Sequence, residues 1–262
     1  MAERPSFNSD GGNMCKVRML MRGTVLAVMA GFVAGLVVGV SSFATDAQAT
    51  SRSGRVTCSV PKAPLIQVLP KTKDIVYDYS QTTKQLTARR TTSPGPYGSN
   101  IDTATGGLRA DQISTTSNIK MGTLTYQVQN AGCIWYDEVT VNINLNPVIY
   151  VAKEYQKEPC KGAILKHELR HVEVDRFVVN KYAQEIGTAI QTAVNKAGAV
   201  GPFAVADMNR QQDQLIKQVQ AAIKSQEHLL HQEMRTLQSQ VDSLEEYERI
   251  SKICKDLIPK RR

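Results

Sequence analysis

Residues 167–171 read His-Glu-Leu-Arg-His, and this H-E-x-x-H pattern constrains the chain more than any other stretch. On an α-helix, residues i and i+4 share one face a single turn apart. Two imidazoles so placed can converge on one Zn²⁺ at about 2.0–2.1 Å. Glu168, next to the first imidazole, can reach water at the ion, whose pKa falls toward about 7 there. The chain has only four histidines, and two lie in this motif. The alternative is a surface helix that happens to carry two histidines. The neighbours Ile164, Leu165, Val172, Val174, Phe177, Val178 and Val179 argue against it, because they predict a largely buried helix. Histidines on the inward face of such a helix need partners.

The first 49 residues have the layout of an export signal. Lys16, Arg18 and Arg22 form a basic start, residues 23–40 are apolar without a charge, and Ala47-Gln48-Ala49 is an A-x-A cleavage site. A retained anchor is the alternative, since the apolar run is of borderline length for a bilayer. Both readings put the rest of the chain outside the cytoplasm, in the periplasm or beyond, and leave membrane association through this segment open. Cysteine usage agrees. Beyond Cys15, the chain keeps Cys58, Cys133, Cys160 and Cys254, which predicts two disulfides in one of three pairings. The chain is basic, with 32 Lys+Arg against 24 Asp+Glu, but the charges are scattered and no nucleic-acid motif appears.

The remaining sequence divides by period. Residues 50–73, rich in Ser, Pro and Lys, read as an exposed arm. Residues 74–152 read as a β-rich subdomain. Ile75–Tyr79 is a short strand, residues 91–117 are turn chemistry, and 121–129 alternates. Cys133 to Leu145 alternates through Val139, Val141 and Ile143, and after an interruption at Pro147 the sheet resumes at Val148–Val151. From residue 159 to about 258 the period is helical. A first helix spans about Cys160 to Ala197 and ends at Gly198-Ala199-Val200-Gly201-Pro202. A second starts near Asp207 and carries an apolar stripe from Leu215 to Leu244. The short linker predicts an antiparallel hairpin. The fold class expected is α+β, a small antiparallel sheet packed on this hairpin.

A catalytic zinc site takes three protein ligands. Asp175, two turns beyond His167, is too far along the axis to bind the same ion. It is better placed as an acceptor behind the far ring nitrogen of His171. No Gly or third His follows the motif within 172–185, so the last ligand must come from the second helix. If Cys160 pairs with Cys254, residue 169 lies opposite Glu245. If the hairpin turns about the middle of its loop, Glu227 or His231 comes nearer. Glu245 is the choice here, on the edge of the apolar stripe, with Glu246 on the opposite face.

The stretch from Cys133-Ile-Trp-Tyr-Asp-Glu-Val through Cys160 to His167-Glu-Leu-Arg-His171-Val-Glu-Val-Asp175 resembles the DUF922-type bacterial exported proteins, described as predicted secreted zinc-dependent proteases. The resemblance covers roughly residues 74–250. It implies a zincin-like fold with a sheet packed on the motif helix, and roles for His167, His171 and Glu168. The family's downstream Y-D-x-x-T-x-H-G element is not intact. Val241-Asp-Ser-Leu-Glu-Glu-Tyr247 stands where it is expected.

The expectation is an exported zinc metallopeptidase with peptide or protein substrates, Glu168 as general base, and Val139–Leu145 as the sheet edge that aligns substrate. Two rivals stand beside it. One is an envelope interaction module whose long glutamine-rich second helix binds a partner, the zinc being structural or vestigial. The other is a zinc amidase acting on peptidoglycan.

Overall fold

The computed structural model describes residues 55–89, 101–102, 104–255 and 260–261. The expected signal or anchor segment, residues 1–49, lies outside the described residues. In chain order the elements are β1 (Leu65–Thr72), β2 (Val76–Asp78), α1 (Thr83–Arg89), β3 (Ile101–Asp102), β4 (Gly107–Tyr126), β5 (Ala131–Val151), α2 (Cys160–Ala197), β6 (Val200–Ala204), α3 (Met208–Val241), α4 (Leu244–Ile253) and β7 (Lys260–Arg261). The mix of a sheet and a helical hairpin matches the α+β expectation, but the sheet is not purely antiparallel.

The centre of the five-stranded sheet is β5. One edge of it pairs antiparallel with β4 along its whole length. The other edge is shared in turn by β6, β1 and β2, and the last two run parallel to it. The stretch expected as an exposed arm thus contains a sheet strand, and Cys58 just before it is bridged to Cys133. Ile66 and Val68 pack toward the core at alternate positions of this strand. Similarly, the last eleven residues of the segment read as turn chemistry, 107–117, are the start of β4. Its threonines and serines are strand residues there, paired with β5 up to Ser117↔Val141.

Burial alternates along β5 from Val139 to Val151, so one face of the strand meets the helices. A β-bulge at Lys120/Met121 of β4 leaves Asp137 without an opposite residue. This extra residue shifts the phase by one and keeps Ile134 and Tyr136 on the same inner face as Val139. Pro147 does not interrupt the strand. Leu145 accepts a hydrogen bond from the Lys73 amide, so the odd residues of β5 turn their backbone groups to the β1–β2 edge. Pro147 falls in the gap between the last β1 pair, Thr72↔Leu145, and the first β2 pair, Val76↔Val148. Its missing N–H therefore breaks no ladder bond.

Against this face packs the helical hairpin. Val179, Ala183, Ile186, Ile190 and Val194 of α2 and Leu215, Val219 and Ile223 of α3 join Val139, Val141, Ile143 and Leu145 in one core. The Tyr136 hydroxyl donates to the Leu215 carbonyl at 2.7 Å, tying β5 to α3. A second cluster, with Ile149, Val151, Ile164, Val172 and Ile250, seats the start of α2 and α4 on the other end of the sheet. Helix α2 has the predicted span, and Gly198, with φ of 59°, ends it. The helix is not buried all round, because Phe177 is 58% exposed. The stretch read as a linker forms β6. Helix α3 does not run on to residue 258; it stops at Val241, and α4 restarts after Asp242 and Ser243. Among the described residues, no helix is long and apolar enough to cross a membrane.

The disulfides are Cys58–Cys133 and Cys160–Cys254, bonds of a kind that persists outside the reducing cytosol. Mass mapping of unreduced peptides is expected to find these two links and no Cys58–Cys160 link. Replacing Cys160 and Cys254 by Ser is expected to cost about 2–5 kcal/mol in denaturant unfolding.

Candidate metal centre

His167, Glu168, His171 and Asp175 all lie on the inward face of α2 and are buried. The i, i+4 spacing brings the imidazoles together as expected, with 3.2 Å between the two Nε2 atoms. The ring planes stand nearly perpendicular, at 88°. A third donor completes the group. Asp242 Oδ1 lies 3.3 Å from His167 Nε2 and 3.2 Å from His171 Nε2. The three atoms form a nearly equilateral triangle. In a tetrahedron with about 2.0 Å from centre to donor, donors stand about 3.3 Å apart. The group therefore has the size of one face of a tetrahedral site and could hold a metal ion.

Glu245 does not belong to this group. It is exposed in the first turn of α4. The alternatives fare no better, since His231 is exposed and Glu227 is half-buried on α3 several turns before Asp242. The error lies in treating the second helix as continuous. Ser243 caps a new helix, its hydroxyl accepting from the Glu246 amide. Ser243-Leu-Glu-Glu246 is an S-x-x-E capping box, a signal visible in the sequence that marks a helix start. The break leaves Asp242 at the end of α3, facing the imidazoles. It also turns Glu246, expected on the opposite face, inward, with Oε1 3.5 Å from His167 Nδ1. Arg170 and Arg249 hold Glu246 at 2.8 and 2.7 Å. The Tyr247 ring meets His167 edge to face at 6.0 Å.

Asp175 does not touch His171 side chain to side chain. Between them stands Gln238 of α3, a residue that sequence reasoning passed over as one of many helix glutamines. The Gln238 Nε2 donates to Asp175 Oδ1 at 2.6 Å and to the His171 carbonyl at 3.0 Å, while its Oε1 meets His171 Nδ1. The cation beside Asp175 is Arg109 of β4, 3.4 Å away and also paired with Asp111.

The electrostatics follow from burial. Desolvation pushes the Glu168 carboxyl up against the attraction of His167 and His171. It raises Asp175 to about 6, with Arg109 opposing. Burial also works against the charge on Asp242, yet hydrogen bonds from His167 and His171 outweigh it and hold that carboxyl well below its usual range. Desolvation disfavours the charged form of His171, but Asp242 and Glu168 overcome it and raise the imidazole. The Arg249 hydrogen bonds lower Glu246. Such mutually stabilised opposite charges, with two buried carboxyls shifted upward, mark a candidate functional site.

No protein-family profile, curated protein or solved structure matches the chain. The class that can be named is therefore set by geometry: an α+β protein with a His-His-Asp group able to hold a metal ion.

Glu168 is wedged between α2 and β4. A Cβ added at Gly107 would run into the Ile164 side chain and come within 2.6 Å of Glu168 Oε1. Gly107→Ala is expected to displace Glu168 and to lower stability by about 1–3 kcal/mol. An unchanged denaturation midpoint would show that the contact is slack.

Proposed function

We propose that the chain is an exported zinc-dependent peptidase, with the ion held by His167, His171 and Asp242. The observation that carries this reading is the triangle of donors with Glu168 one residue from the first of them. Two imidazoles and one carboxylate suit zinc, and three protein donors are the pattern of a catalytic rather than a closed structural site. The export-signal pattern of residues 1–49 and the two disulfides support action outside the cytoplasm. The resemblance to secreted zinc-dependent proteases supports the same class, and it singled out the stretch that contains Asp242.

When bound, the ion supplies Lewis acidity that lowers the pKa of water to about 7 and polarises a carbonyl. The protein's own groups do the rest. Glu168, raised by burial, takes a proton from the attacking water and hands it to the departing amine nitrogen. His167 and His171 are buried, each side chain 7% exposed. The Asp242 side chain is 37% exposed, so access is from its side. Strand β5 is not the edge that aligns substrate, because both its edges are occupied. The outer edge of β4 pairs with no strand among the described residues, and it begins beside Glu168 at Gly107. An extended peptide bound there would run past the site.

Metal analysis of the purified protein tests this directly. One equivalent of zinc is expected for wild type and for Glu245→Ala, and none for His171→Ala or Asp242→Ala. The same donors also suit Fe(II), so iron in place of zinc would sink the peptidase reading. Glu168→Gln is expected to keep the metal and lose peptide hydrolysis by roughly 10²–10⁴-fold. Cleavage by that variant at the wild-type rate removes Glu168 as the base. A protein free of metal after mild purification favours the interaction-module alternative.

A further inference from the structure

Gln238 is 8% exposed, and its Oε1 meets the far nitrogen of His171. An amide has one accepting end and one donating end. The donating end is fixed here. Nε2 faces a carboxylate, Asp175 Oδ1, and a carbonyl, His171 O, and both can only accept. The oxygen end must therefore point at His171 Nδ1, where it can only accept. That ring nitrogen has to carry a proton, and in the neutral imidazole the free lone pair is then on Nε2, which looks at Asp242 and His167. Asp175 is in turn fully buried and faced by Arg109 of β4. The chain from Arg109 to Asp175 to Gln238 thus sets which way the amide points.

We propose that Gln238 is a positioning residue for the metal centre, and that its Oε1 holds His171 in the tautomer that offers Nε2 to the ion. This rests on the metal reading given above. Partners of this kind commonly change metal affinity by roughly 10–100-fold when removed. A neutral amide in this place adds no charge next to Asp175, which a carboxylate would.

Two variants separate positioning from mere bracing. Gln238→Met keeps the shape but can neither accept from Nδ1 nor donate to Asp175. Gln238→Glu keeps an acceptor for Nδ1 and replaces the amide donor to Asp175 by a second carboxyl. Zinc affinity of the full chain, measured with Zn²⁺ against a competing chelator, is expected to fall roughly 10–100-fold in Gln238→Met and to stay near wild type in Gln238→Glu. Nitrogen-15 NMR of the zinc-loaded wild type is expected to show a slowly exchanging His171 Nδ1–H, so the proposal remains testable if Gln238→Met fails to fold. Equal losses in both variants, no loss in either, or an unprotonated Nδ1 overturns it while leaving the metal reading intact. A wild-type chain that binds no Zn²⁺ overturns both.

Discussion

Four polar side chains on the inner face of one helix must be satisfied away from water, and the surroundings of α2 are arranged around that demand. Stripping solvent from His167, Glu168, His171 and Asp175 without partners would cost several kcal/mol for each charged group. Three neighbouring parts of the fold offset it. Strand β4 supplies Arg109, α3 and the break that follows it supply Gln238 and Asp242, and α4 supplies Glu246. Apolar packing positions these elements but does not explain why those particular residues face inward.

The two ends of α2 divide the labour. From Val178 onward the helix is an ordinary core helix, packing apolar residues on β5 and α3. Its first turns carry the polar group, at the end of the sheet where β4 begins and α4 closes over. Rigid packing at one end fixes the helix axis, and the donors at the other inherit that precision.

Much of this was legible in the residues. The span of α2 followed from its period, its Gly198 stop and the residues ahead of it. The clustering of His167 and His171 followed from helical spacing alone. The parallel strands did not: β1 is separated from β5 by three strands and a helix, and parallel pairing leaves no local turn signature. Strand β4 was hidden because threonine and serine serve both turns and strand surfaces. The third donor was lost to an assumption of helix continuity that Ser243 and Glu246 contradict. Gln238 carried no signal by type, since its role comes from which neighbours face it across the hairpin.

The Cys160–Cys254 link gives the hairpin a topology that packing alone would not. It closes a covalent ring, and His167, His171 and Asp242 are all members of it. If the noncovalent contacts of the hairpin fray, the ring keeps the three donors within one small tethered volume. Their mutual concentration then has a floor set by chain length. Recapture of an ion by a loosened site becomes an encounter within one loop, not a search across a whole unfolded chain.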